Sequence, residues 1–238
     1  MIRTVVVALF LTVYTLILGP PLVLYAALSR SVEALYWTGV KGVVFIVRLV
    51  GIRTRVEGIE NIPPGTCVFA ANHTSNSDGP VIVGAIPRRI AILAKKSLFT
   101  IPVVGTAFRQ ARFTPVDRGS PERAKASIEL AAEYVRQGTS FLIFPEGTRS
   151  GNGRLLPFKS GALLLAIGAG VPVVPVACIG AHRILPKKSL RIRPGEVLVR
   201  FCPPIDAGAY RAADRAKLAE RVRAAIAAAL PDDQRPLD

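Results

Sequence analysis

One histidine is spaced from a carboxylate so that the pair could move a proton. His73 precedes Asp78 by five residues, in a polar segment that follows an apolar run. A neutral imidazole can accept a proton from a hydroxyl group, and a carboxylate on its other ring nitrogen would fix the tautomer. The two side chains can meet on a loop that leads into a helix. The spacing alone leaves open another interpretation, in which Asp78 caps a helix and His73 is a surface residue.

A second polar segment also follows an apolar run and contains groups that could bind a phosphate ester. Gly147 allows a ligand to approach the backbone closely, and Arg149 offers a planar fork of donors that matches phosphate. Thr148 and Ser150 add hydroxyl groups. Arg118 ends a different apolar run and could join the same site. The alternative is an ordinary turn after a strand, with solvated arginines.

The remaining histidine and the cysteines do not indicate a metal site. His182 has no acidic neighbour at a useful spacing, so we expect a surface or structural role. Cys67, Cys178 and Cys202 are isolated from one another and have no metal-type spacing. We expect them to be reduced and buried, and we expect no metal and no bound cofactor.

The elements that must position these side chains follow an alternating pattern from about residue 52 onwards. Strands are expected at residues 52–57, 66–71, 90–94, 112–116, 140–144, 173–177 and 197–201. Helices are expected at about residues 79–86, 98–109, 121–136, 158–169 and 208–230. Continuous apolar strands that alternate with helices predict an α/β fold, with a mostly parallel sheet flanked by helices.

Composition excludes several classes of protein. The chain has 238 residues, a net charge of +15 and 50% hydrophobic residues. Most of the chain cannot be disordered at this apolar content, and only its first fifth is apolar enough for lipid, which argues against a multi-span transporter. The positive charge is compatible with nucleic acid, an anionic membrane surface or acidic small molecules. Aromatic residues make up only 7%, and no recognition motif is present, so we expect no nucleic-acid partner.

The first residues predict membrane association. Residues 4–29 lack charged side chains, and a helix of that length reaches about 39 Å, more than the ~30 Å hydrocarbon core. Gly19, Pro20 and Pro21 are expected to interrupt this helix. The segment could therefore be a kinked transmembrane helix or a helical wedge that enters one leaflet. A cleaved signal peptide is less favoured, because residues 34–52 also resemble an interfacial helix.

These observations predict two parts of the chain and an orientation. Residues 1–51 form an N-terminal membrane-associated helical segment, and residues 52–238 form the catalytic domain. If the first helix spans the membrane, the basic residues after it outnumber the single Arg3 before it. This asymmetry would place the domain on the cytoplasmic side of the inner membrane.

Four blocks taken together resemble the glycerophospholipid acyltransferase family, and most closely its 1-acylglycerol-3-phosphate acyltransferases. The blocks occur in the family's order, and the resemblance covers about residues 55–205. They are Asn72–Asp78, Phe113–Arg118, Phe144–Ser150 and Val171–Val176. The stretch that begins Lys95-Lys96-Ser97 is also similar to a family segment, although Ser97 stands where the family often has glutamate.

The resemblance implies a glycerol-3-phosphate acyltransferase-like fold and a direct acyl transfer. His73 would be the general base on the sn-2 hydroxyl of 1-acylglycerol 3-phosphate (lysophosphatidic acid), and Asp78 would orient it. That hydroxyl would attack an acyl thioester, either acyl-coenzyme A or acyl-acyl carrier protein, to give phosphatidic acid. A Gly-x-Ser-x-Gly elbow is missing from the sequence, in agreement with a reaction that has no acyl-enzyme intermediate.

The resemblance also implies which residues bind the acceptor. Arg118, Glu146, Gly147 and Arg149 would hold its phosphate and glycerol groups, and Thr148 and Ser150 are weaker candidates for the same site. A carboxylate cannot bind phosphate itself, so Glu146 would orient Arg149 or accept from a hydroxyl.

Two alternatives stay open at the level of the sequence. The acceptor could be glycerol 3-phosphate, another lysophospholipid or a lyso-ornithine lipid. The chain could also be a non-enzymatic protein that binds anionic lipid, although this leaves the blocks around His73 and Arg149 unexplained.

Overall fold

A computed structural model describes residues 1–117 and 119–237 and contains one seven-stranded sheet. Five adjacent strands run parallel, in the order β6-β2-β5-β3-β4, and β7 joins β6 antiparallel with β1 at its outer edge. The strands are Ile52–Glu57 (β1), Val68–Ala71 (β2), Ile90–Lys95 (β3), Thr114–Val116 (β4), Ser140–Ile143 (β5), Val173–Ile179 (β6) and Gly195–Phe201 (β7). The predicted mostly parallel sheet is confirmed.

Helices cover both faces of this sheet. Those longer than a single 3-10 turn are Ile2–Ser29 (α1), Glu33–Leu49 (α2), Asp78–Ala85 (α3), Val104–Gln110 (α4), Pro121–Arg136 (α5), Leu164–Ala169 (α6), Ala181–Ile184 (α7) and Arg215–Ala229 (α8). Short 3-10 turns lie at Ile59–Asn61, Lys96–Thr100, Ser160–Leu163 and Ala212–Asp214.

Strand β2 shows why the central strands read as continuous apolar runs. Val68 and Ala70 belong to one apolar cluster with side chains of α5, α6 and α8. Phe69 and Ala71 belong to a second cluster with side chains of α2, α3 and α7. Alternate side chains of a strand point to opposite faces, so a strand that is covered on both faces needs apolar residues at every position.

Several predicted helices are shorter in the structure, and proline explains the clearest case. The helix expected at residues 98–109 is divided into the 3-10 turn Lys96–Thr100 and α4. Ile101 between them is extended, with a ψ of 123°. Pro102 follows it, and a proline disfavours helical geometry at the preceding residue.

The predicted interruption of the first helix is wrong. Helix α1 continues through Gly19, Pro20 and Pro21 to Ser29. The φ of proline suits a helix, and the helix continues here although each proline lacks the backbone donor of one helical hydrogen bond. Within the part of the chain that the structure describes, α1 is the one helix long and apolar enough to cross a membrane, with a mean hydropathy of 2.1 in its most apolar stretch.

Helix α1 lies along the domain and pairs antiparallel with α2. The Tyr14 hydroxyl donates to the Thr38 carbonyl at 2.9 Å, close to the point where Tyr14 covers Gly42. The Thr4 hydroxyl bonds a backbone carbonyl of the loop before β7, and the Val23 carbonyl accepts from a side chain of α4. Because Thr4, Tyr14 and Val23 lie near the start, the middle and the end of α1, this helix is attached to the body along its length.

We predict that Gly42→Val separates the two N-terminal helices. A Cβ at residue 42 would lie 2.6 Å from Cε1 of Tyr14, whereas a Cβ at Gly39 in the same helix meets nothing within 4 Å. Overpacking of this kind costs about 1–3 kcal/mol. Trypsin in detergent should therefore cut after Arg30 faster in Gly42→Val than in the control Gly39→Val. Equal cleavage of the two variants would contradict this packing.

Candidate active site

The candidate site lies at the carboxyl ends of four adjacent parallel strands. His73 follows β2, Lys95 ends β3, Asp117 follows β4, and the segment around Arg149 follows β5. Parallel strands that are neighbours in a sheet bring the segments after them to one edge, where α/β proteins commonly bind ligands. Residues that are far apart in sequence therefore surround one site.

The side chain of Asp78 forms several contacts in the loop around His73. It is the first residue of α3 and is fully buried. Its Oδ2 lies 2.9 Å from Nδ1 of His73 and also accepts the backbone amides of Thr74 at 2.7 Å and Ser75 at 2.8 Å. Its Oδ1 lies 3.6 Å from the Cys178 thiol. The predicted meeting of His73 and Asp78 on a loop that enters a helix is thus found.

The backbone of His73 is held from both sides by the segment after β5. The His73 amide donates to Oε1 of Glu146 at 2.7 Å, and the His73 carbonyl accepts the Ser150 amide at 2.8 Å. The imidazole stacks on Phe144, with ring centroids 4.2 Å apart. With Nδ1 bound to Asp78, Nε2 is the ring nitrogen available to a substrate.

Glu146 is a buried connector. It is 2% exposed, and its Oε2 accepts the Leu156 amide at 3.4 Å. Burial raises the pKa of Glu146 to about 8, although the two amide hydrogen bonds from His73 and Leu156 oppose this shift. The expected contact between Glu146 and Arg149 is not found among the described residues. The two side-chain oxygens of Glu146 instead accept the backbone amides of His73 and Leu156.

Asn72 ties the start of this loop to the neighbouring strand β6. Its side-chain amide donates to the Cys178 carbonyl at 3.0 Å, and its Oδ1 accepts the Cys178 amide at 2.7 Å. Asn72 is 1% exposed, so these bonds replace water at both groups. The residue before His73 is therefore fixed to the sheet.

A cavity of about 390 Å³ opens beside the imidazole, within the size range of small-molecule sites. It brings together residues that follow all four strands. Its lining residues are His73, Lys95, Lys96, Ser97, Val116, Asp117, Gly119, Thr148 and Arg149.

The lining carries more positive than negative charge. Lys95, Lys96 and Arg149 face a single carboxylate among the lining residues that the structure describes, that of Asp117. Asp117 lies 3.5 Å from Lys96 Nζ, so Lys95 and Arg149 are the cations left for a ligand. A cavity of this charge favours an anion such as a phosphate ester.

Asp117 is held as a carboxylate by its neighbours. Its Oδ1 accepts the Gly119 amide at 3.1 Å, and its Oδ2 lies 3.1 Å from Nε of Arg123. The amide hydrogen bond, followed by the positive charges of Arg123 and Lys96, lowers the pKa of Asp117. This carboxylate organises the cations at one side of the cavity.

The predicted acceptor-binding residues occupy different places. Thr148 and Arg149 line the cavity beside His73. Gly147 forms the turn that precedes them, with a φ of +69° that favours glycine. Ser150 is buried and lines a second, neighbouring cavity. Arg118 lies outside the described residues.

Lys95 and Lys96 are lining residues that the sequence analysis did not place among the acceptor-binding residues. The stretch that contains them resembles a family segment, but that resemblance does not show that their side chains reach His73. The available signal was their position at the end of an apolar strand, because parallel strands place such residues at one edge.

The described residues contain no cluster of three or more histidine, cysteine or acidic side chains that could hold a metal ion. All three cysteines are free and buried, as expected. Burial raises the pKa of Cys67 to about 11, and it raises that of Cys178 as well. These thiols therefore stay protonated near neutral pH.

We predict that Glu146→Gln changes the pH dependence of stability. A carboxyl group whose pKa rises from 4.5 to about 8 on folding stabilises the fold below pH 4.5 and loses that contribution as the pH rises to about 8. Urea unfolding at several pH values should show a smaller loss of stability between these limits in Glu146→Gln. A glutamine oxygen can still accept the His73 amide. An unchanged pH profile would contradict the raised pKa.

Comparisons with known proteins agree with the fold. A model of the acyltransferase family matches residues 53–179. A curated 1-acyl-sn-glycerol-3-phosphate acyltransferase of Cocos nucifera is 34% identical over 190 residues, which cover 79% of this chain and 61% of the relative. The alpha enzyme of that name from Homo sapiens is 34% identical over 177 residues, covering 74% of this chain and 62% of the relative. The chain spans about three-fifths of the length of these relatives.

A solved structure extends the similarity along nearly the whole chain. The crystal structure of the 1-acyl-sn-glycerophosphate (LPA) acyltransferase PlsC from Thermotoga maritima matches with a TM-score of 0.79 and 30% identity. The match covers 93% of this chain and 91% of that chain. It confirms the predicted fold class. Because the family model also covers more than half of the sequence, the resemblance is confirmed, and the chain belongs to the acyltransferase family.

Proposed function

We propose that the protein is an O-acyltransferase that moves a fatty acyl group from a thioester to the sn-2 hydroxyl of 1-acylglycerol 3-phosphate, which gives phosphatidic acid. The observation that carries this proposal is the His73–Asp78 pair, 2.9 Å apart, at the wall of a cation-lined cavity. The names of the relatives support the acceptor. A protein that only binds anionic lipid would not need a buried carboxylate to orient an imidazole.

The base acts from its outer nitrogen. His73 Nε2 accepts the proton of the acceptor hydroxyl while the hydroxyl oxygen attacks the thioester carbonyl. The Asp78 carboxylate stabilises the imidazolium through Nδ1. The tetrahedral intermediate then collapses, the C–S bond breaks, and the imidazolium returns the proton to the leaving thiolate. The acyl group passes directly from sulfur to oxygen, so no acyl-enzyme forms.

The acceptor's phosphate binds beside this base. Arg149 and Lys95 are the lining cations left by the Lys96–Asp117 ion pair, and Thr148 adds a hydroxyl donor. We include Arg118 in this group because the residues on both sides of it line the cavity. Glu146 and Gly147 contribute by shaping the loop that carries Arg149.

The N-terminal hairpin holds the protein at an anionic membrane surface. We assign residues 1–51 to this membrane-associated segment and residues 52–238 to the acyltransferase domain. Helix α1 is attached to the body at Thr4 and Val23, and a helix that spanned the bilayer would leave ~30 Å free of such contacts. The arrangement therefore favours insertion into one leaflet over a transmembrane span.

This location suits a lipid acceptor that partitions into the bilayer and a donor that is polar at one end. We place the enzyme on the cytoplasmic face of the cell inner membrane. Its substrates there are lysophosphatidic acid and an acyl thioester, acyl-coenzyme A or acyl-acyl carrier protein. Nucleic acid is not among its partners, and no metal or bound cofactor enters the reaction that we propose.

We predict that His73→Ala removes turnover but keeps the fold. Loss of a general base typically lowers a rate by about 10²–10⁴-fold. Thiol release from acyl-coenzyme A in the presence of lysophosphatidic acid measures the activity, and thermal unfolding and liposome flotation serve as controls. Turnover like that of the unmodified protein would exclude His73 as the base. A wild-type protein that binds liposomes but acylates no lysolipid with either donor would support the non-enzymatic alternative.

We predict that Arg149→Ala weakens acceptor binding. Hydrogen bonds to a charged group contribute about 1.5–3 kcal/mol, so the KM for lysophosphatidic acid should rise roughly 10- to 100-fold. The exposed Arg191, which does not line the cavity, supplies the matched control Arg191→Ala. Equal KM values for the two variants would remove Arg149 from the acceptor site.

A further inference from the structure

A second cavity of about 280 Å³ lies on the other side of the loops that carry His73 and Arg149. Thr74 and Ser150, the residues that follow those two, line it. The two cavities therefore share a wall made of two short backbone segments. Both lie at the same edge of the sheet, and residues of the segment after β6 line the second.

This second cavity is cationic. Arg183, Lys187 and Arg193 line it, and its lining contains no acidic residue. Arg183 is paired with Asp233. For Lys187 and Arg193, no ion pair is found within residues 1–117 and 119–237, so two positive charges are left for a ligand.

Two polar atoms at the wall also lack partners. Thr74 is 1% exposed, and its Oγ1 is buried without a hydrogen bond among the described residues. The buried Nδ1 of His182 is likewise unbonded in that part of the chain. Leaving a buried polar group unpaired costs about 1–3 kcal/mol. Thr74 and His182 both line the cavity, so these two unpaired groups lie beside the space that a ligand would occupy.

We propose that this second cavity binds the terminal 3′-phosphate of a coenzyme A thioester, so that the acyl donor and the acceptor each have a phosphate site. This inference rests on the proposed function and specifies the donor. A phosphomonoester carries about −1.5 to −2 charges at pH 7, which matches the two free cations Lys187 and Arg193 better than the single charge of a phosphodiester.

The shared wall explains how one donor could use both cavities. The flexible pantetheine chain of coenzyme A separates its phosphate from its sulfur. The phosphate can therefore lie against Arg193 while the thioester reaches the cavity beside His73. Lys187 links the two places, because its Nζ also donates to the Arg149 carbonyl.

The test compares coenzyme A with dephospho-coenzyme A, which lacks only the 3′-phosphate. Calorimetric titration of the full chain in detergent micelles should show coenzyme A binding at least ~10-fold more tightly than the dephospho compound. Arg193→Ala and Lys187→Met should each reduce that ratio towards one, whereas Arg191→Ala, two residues from Arg193 on the same loop, should keep it.

The outcomes separate the possible occupants. Equal binding of the two compounds by the unmodified protein, or an unchanged ratio in both variants, would overturn the proposal. Competition by phosphatidic acid gives a further test. If phosphatidic acid displaces coenzyme A from Arg191→Ala but not from Arg193→Ala, the cavity holds a lipid headgroup and the proposal is overturned.

Failure of the proposed function would look different. If the protein shows the expected binding ratio but no acylation, the phosphate site is supported and the proposed reaction is wrong. Acylation with unchanged KM for acyl-coenzyme A in Arg193→Ala would retain the reaction and overturn the second site.

Discussion

The buried carboxylate of Asp78 is the constraint on which the site depends. One oxygen accepts from two backbone amides and lies 2.9 Å from the His73 ring, so the carboxylate both shapes the loop and orients the imidazole. Its position at the start of α3 adds the favourable field of a helix N-terminus. A buried charge needs hydrogen bonds in place of water. The contact with Nδ1 also restricts the imidazole to one orientation.

A second buried acidic side chain holds this loop to the rest of the protein. Glu146 lies 73 residues from His73 in sequence, yet it accepts the His73 amide at 2.7 Å because β2 and β5 are neighbours in the sheet. Asn72 forms the corresponding connection to β6 on the other side. His73 is thus supported from both adjacent strands, and the interactions that fix the histidine also place the segment that carries Arg149.

The apolar and the basic residues of the chain lie in different parts of the fold. Apolar residues form the α1–α2 hairpin and the two clusters that sandwich the sheet. Basic side chains collect at the carboxyl edge of the parallel strands, in two cavities that share a wall. In the function that we propose, the α1–α2 hairpin holds the domain at a membrane surface, where an anionic lipid and a soluble phosphorylated donor could meet.

The sequence by itself determined the alternation of strands and helices, because this depends on short-range periodicity. It indicated the His73–Asp78 pair and the phosphate-type segment only when their spacing was combined with the family resemblance. Only the tertiary structure decided the role of Glu146, which bonds backbone amides rather than Arg149, and the separation of Arg149 and Ser150 into different cavities. The continuation of helix α1 through its prolines was also decided there. Such features depend on which strands become neighbours and on what covers a helix, and no local pattern in the chain records either.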